Sequence, residues 1–80
     1  MLVETAPSYE RITREQLEAA VERLPDELRV TYRLFALESR DYNFIAAELK
    51  ITKSTVGTRI LRARKRLREM LRPLVGEEGP

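Results

Sequence analysis

Val56, Ile60, Ala63, Leu67 and Met70 step through the C-terminal third of the chain by four, three, four and three residues. A strand alternates with period two, so this spacing describes one seam of an α-helix, running from about Lys53 to Leu71 and ended by Arg72-Pro73. At about 100° per residue, Thr55, Thr58, Arg59, Arg62, Lys65 and Arg66 gather on the side away from the seam. Such a helix has an apolar back, which other elements must cover, and a basic front.

The upstream sequence supplies the covering elements. Thr13-Arg14-Glu15-Gln16 fits a capping box, with Ile12 just outside as a staple onto Leu17, and Leu17, Ala20, Val21 and Leu24 repeat behind it. Pro25 breaks that helix and suits the first turn of a second, with Asp26 and Glu27 near its positive end. Leu28, Thr31, Tyr32, Phe35 and Ala36 mark the buried stripe of the second helix, flanked by Leu34 and Leu37, and it ends near Glu38-Ser39-Arg40. Asp41 suits the N-cap of a short third helix, Tyr42 to Leu49, with Ile45, Ala46 and Leu49 inward. Lys50-Ile51-Thr52-Lys53 is then a turn, with Ile51 its apolar plug and Thr52 the cap of the last helix. The expected fold is all-α: four helices with a C-terminal helix-turn-helix over about 42–71 and no wing. Residues 1–10 read as a leader or linker, 11–75 as the domain and 76–80 as a flexible tail.

Composition narrows the function. With 80 residues the chain is one domain, burying only about 60% of its unfolded surface. Cysteine and histidine are both absent, which removes disulfides, thiolate chemistry, Cys/His zinc sites and imidazole acid–base catalysis. No nucleophile–base pair, metal cluster or phosphate loop stands out, so the chain reads as a non-enzyme without a cofactor. No apolar run approaches the roughly 18 residues of a membrane span, and Met1-Leu2-Val3-Glu4 does not open a signal peptide; a cytoplasmic location is expected. Charge is segregated: residues 1–49 carry ten acids and six bases, residues 50–72 nine bases and one acid, Glu69. Segregation of this kind is the footprint of a polyanion-binding surface, with a solvated Arg-rich helix face as the plainer alternative.

A short helix, a tight turn and a longer basic helix are the parts of a helix-turn-helix. In that device the second helix enters the major groove with its N-terminal residues toward base edges, while the first braces it across the backbone. Small hydroxyl side chains suit the close approach, and Arg or Lys suit phosphates and guanines; Ser54, Thr55, Thr58, Arg59 and Arg62 meet those demands. Leu61 lies off the core face, where an apolar side chain suits a thymine methyl. Phe44 also lies off its core face and reads either as a lone exposed hydrophobic or as a partner contact. Arg64 and Arg68 fall on the flank, where solvation or intrahelical pairing is the plainer reading, and Tyr32 and Tyr42 read as core rim.

Three blocks follow one family in order: Leu24-Pro25-Asp26-Glu27-Leu28-Arg29, Tyr42 to Leu49, and Thr55-Val56-Gly57-Thr58-Arg59-Ile60-Leu61-Arg62-Ala63-Arg64-Lys65-Arg66-Leu67-Arg68. Over about residues 13–75 the chain resembles region 4 of bacterial RNA polymerase sigma factors, closest to the extracytoplasmic-function group. The resemblance implies recognition of the −35 promoter element in double-stranded DNA by the last helix, and docking of the upstream helices on the flap of the polymerase β subunit. An anti-sigma factor and a separate region 2 protein are further implied partners. Carried onto this chain, the recognition positions are Ser54, Thr55, Gly57, Thr58, Arg59, Leu61 and Arg62, with Lys53 and Arg29 as phosphate contacts; Lys65 and Arg66 complete the basic front. Four positions depart from the family's usual residue. Lys50 and Ser39 replace glycines, the first at a turn position that often needs positive φ; Phe44 replaces a glutamate; Gly57 replaces a lysine or arginine that would face DNA.

Overall fold

A computed structural model describes residues 12–75. The helices are α1 (Arg14–Glu22), α2 (Asp26–Tyr32), α3 (Tyr42–Leu49) and α4 (Lys53–Val75), and no strand occurs among the described residues. The expectations for residues 1–10 and 76–80 lie outside the described residues.

Each start is fixed by a short polar side chain or a proline. Before α1, Gln16 N–H donates to Thr13 Oγ1 and Thr13 N–H to Gln16 Oε1, both at 3.0 Å, closing the capping box. Pro25 precedes α2, and its carbonyl accepts from Arg29 N–H at 2.8 Å. Before α3, Phe44 N–H donates to Asp41 Oδ1 at 2.8 Å.

The second helical segment ends where the sequence places it, near Glu38-Ser39-Arg40, but its last turn differs in kind from the expected α-helix. After α2 the chain continues as a π-helical turn, Arg33–Leu37, with Glu38 N–H donating to the Arg33 carbonyl at 3.0 Å. Ser39 then turns left-handed (φ 58°) and Arg40 N–H closes onto the Leu34 carbonyl at 2.9 Å. The wider turn rotates Phe35 and Ala36, expected in the buried stripe, to half-buried positions. Phe35 instead links α2 to α3: its ring lies 6.2 Å from Tyr32 and 5.8 Å, edge-on, from Tyr42.

The core forms where α4 lies across α2 and α3, with α1 behind. Val21, Ile45, Val56, Ile60, Ala63 and Leu67 are almost wholly out of water. Thr31 is the buried polar residue among those described, and its hydroxyl donates to the Glu27 carbonyl at 2.8 Å, so it costs little. Two details of α4 differ from expectation. Met70 is half-buried and Leu71 takes the buried place at the end of the seam. The helix also passes through Pro73 to Val75. Proline's fixed φ is helical; so near the helix end its missing N–H leaves only the Glu69 carbonyl without its donor, and Leu71 holds the preceding turn on the core.

Candidate nucleic-acid interface

The approach to α4 begins at the turn. Lys50 adopts the left-handed conformation expected for that position (φ 60°, ψ 47°), and Ile51 N–H donates to the Ala46 carbonyl at 3.0 Å. Ile51 folds inward against the core as the plug of the turn. Thr52 caps α4: Thr55 N–H donates to Thr52 Oγ1 at 3.0 Å, and the Thr52 hydroxyl donates to Thr55 Oγ1 at 2.9 Å. The start of α4 is thereby capped, with Lys53 and Ser54 exposed at its tip.

Opposite the buried seam runs an exposed row: Ser54, Thr58, Leu61, Arg62 and Lys65. Leu61 is 65% exposed, more than any other large hydrophobic side chain described. Not every residue grouped on this front by the helical wheel shares it. Thr55 is half-buried, its hydroxyl engaged by the cap. Arg59 is turned to the flank that faces α2, its side chain 22% exposed and Nη2 4.0 Å from Glu27 Oε1. Arg66 is exposed lower on the same flank. Gly57 lies on the other flank, half-buried beside Tyr42; a Cβ there would sit 3.5 Å from Tyr42 Cε2, an ordinary contact, so a Cβ fits without displacement.

The start of α2 supplies the facing wall. Asp26 and Glu27 stand across an open cleft from Arg62, Lys65, Arg66 and Glu69, with Leu28 in the floor. Arg29, in the same turn, reaches back so that Nη2 lies 3.0 Å from Asp26 Oδ1. Thus the structure brings Arg62, Lys65 and Arg66 together, sets Lys53 and Ser54 at the tip, and gives Arg29 and Arg59 acidic neighbours. Of the flank residues, Arg64 lies over the Phe35 ring at 5.7 Å.

Sequence reasoning missed two features. Arg40 stacks over the Phe44 ring at 4.6 Å, at the entrance to α3; their four-residue separation was the available signal. Asp26 and Glu27 were read only as favourable charges at a helix start, whereas their carboxylates also meet the arginines. Among the described residues no group of acidic, His or Cys side chains is placed to hold a metal ion, and no helix is long and apolar enough to cross a membrane.

Residues 14–67 match the family model described as sigma-70, region 4. The chain is 35% identical over 68 residues to the RNA polymerase sigma-H factor of Pseudomonas aeruginosa; the match takes in 80% of this chain but only 35% of that protein. No solved structure matches at a significant level. With the family model spanning the helix-turn-helix and its bracing helices, the chain belongs to the sigma-70 region 4 family, and is a sigma-factor-like DNA-binding domain of transcription.

Proposed function

We propose that this domain reads a −35-like promoter element with the N-terminal half of α4 and docks on the RNA polymerase β flap through its upstream helices. The observation that carries the reading is the exposed row of Ser54, Thr58, Leu61, Arg62 and Lys65, opposite a buried seam on a helix capped at its N-terminus by Thr52. Arg62 has the planar fork for a guanine edge, and Leu61 the apolar surface for a thymine methyl. Ser54 and Thr58 allow close approach near the tip, Thr55 stands between them within the cap, Gly57 keeps the opposite flank free of bulk, and Arg59 extends the reading face along the α2 flank. Lys53, Arg29, Lys65 and Arg66 serve the phosphates, which fix register without reading sequence. In the cytoplasm, a region 2 protein and an anti-sigma factor are the further partners of this reading.

Selection of binding sites from a pool of random duplexes tests it. The expected outcome is a short recovered consensus that is lost with Arg62→Ala. A pool that stays random, together with retention of the domain on an immobilised β-flap fragment, would transfer it to a second reading: a module that binds polymerase or an anti-sigma factor and little DNA. Gly57, which leaves a half-buried position of α4 without the family's cation, is the feature that favours this alternative.

A further inference from the structure

Two of the arginines assigned to DNA already have a carboxylate beside them. Asp26 holds Arg29 at 3.0 Å and Glu27 faces Arg59 at 4.0 Å. Both acids belong to the first turn of α2, and their side chains are 85% and 76% exposed. Pairs this open to water are weak and readily exchanged. Their position is the informative part, because the turn that carries them forms the wall of the cleft opposite Arg62, Lys65 and Arg66.

We propose that Asp26 and Glu27 are built-in counter-ions of the DNA-binding face, occupying Arg29 and Arg59 in the free domain and giving way to the duplex on binding. This inference rests on the DNA-reading function proposed above. A phosphate that approaches Arg59 also approaches Glu27, so part of the attraction is cancelled by repulsion at similar range. Once displaced, each carboxylate gathers a cation from solution, which offsets one cation released from the duplex and flattens the salt dependence. Non-specific binding is almost wholly electrostatic, so this repulsion removes a larger share of it than of sequence-specific binding. The two acids thus trade affinity for selectivity. Their favourable placement at the start of α2 acts on stability alone and predicts no change in the salt slope.

The test compares the full chain with Glu27→Gln, Asp26→Asn and, as a control, Glu15→Gln, on one promoter duplex and one unrelated duplex. Glu15 is exposed in the first turn of α1, outside the cleft, so its variant makes the same charge change at a similar helix position. The expected result for Glu27→Gln and Asp26→Asn is binding about threefold to tenfold tighter at low salt, with the slope of log K against log salt steeper by about one unit. The gain is expected to be larger on the unrelated duplex, and Glu15→Gln to change affinity less than about twofold. Binding by wild type with Glu27→Gln and Asp26→Asn indistinguishable from Glu15→Gln would overturn the counter-ion role and leave the DNA reading standing. Binding by the α2 variants alone would support the role in its strongest form. Absence of binding by every variant on both duplexes would remove the DNA reading and this inference with it. Thermal melts of each variant confirm that the compared proteins are folded.

Discussion

Lys50 and Ser39 carry side chains in the left-handed region, with φ of 60° and 58°. For an L-residue that conformation costs roughly 1–2 kcal/mol, which glycine escapes at the expense of some backbone entropy. Lys50→Gly is therefore expected to stabilise the fold by about 1 kcal/mol, seen as a higher urea midpoint at unchanged slope. The special backbone at Lys50 was legible because a family glycine stands there; nothing in a lysine by itself announces it. The engagement of Arg59 with Glu27 was not legible. A helical wheel places residues relative to their own helix axis, and the flank on which Arg59 falls is defined only once α2 packs beside α4. The same holds for Gly57, whose neighbour Tyr42 comes from a different helix.

Helix starts were readable, and so was the end of α3 at Leu49, whereas the last turns of the second helical segment and of α4 were not, for a physical reason. Thr13, Asp41 and Thr52 satisfy nearby N–H groups with their own side chains, a local chemistry that sequence spells out. The π turn at Arg33–Leu37 leaves the apolar composition of its segment unchanged and shifts only which residues face inward. Pro73 misled in the other direction, since a proline that would break the middle of a helix is tolerated in its last turn. Among the caps, Thr52 fixes the tip of α4, the part that the proposed function places on DNA. Thr52→Ala is expected to cost about 1 kcal/mol, within the usual range of roughly 0.5–2. It also frees the Thr55 hydroxyl. If the cap acts as argued, amide exchange at Thr55 quickens well beyond the global change in stability, whereas uniform quickening would assign Thr52 no local role.

At the scale of the whole molecule, charge and fold coincide. The bases of residues 50–72 are carried almost entirely by one helix, while the excess of acids sits in residues 1–49. Packing α4 across α2 and α3 buries the seam and leaves Arg62, Lys65 and Arg66 with Lys53 on the solvent side, so the molecule acquires a basic face although its formal net charge is only +2. A surface of this kind binds duplex DNA chiefly by releasing counter-ions. If about four to six phosphates are neutralised, log K falls against log salt with a slope near −4 to −5. Substitution then separates affinity from reading. On the proposed reading Lys65→Ala removes a phosphate contact, and is expected to weaken all duplexes alike and flatten the slope by about one unit. On the same reading Arg62→Ala removes a fork aimed at a base edge, and is expected to cost about 1–3 kcal/mol on the preferred duplex and much less on others. Titrations of both variants over a series of salt concentrations, on a preferred and an unrelated duplex, check the division. Equal losses on both duplexes for both variants would mean that this face holds DNA without reading it.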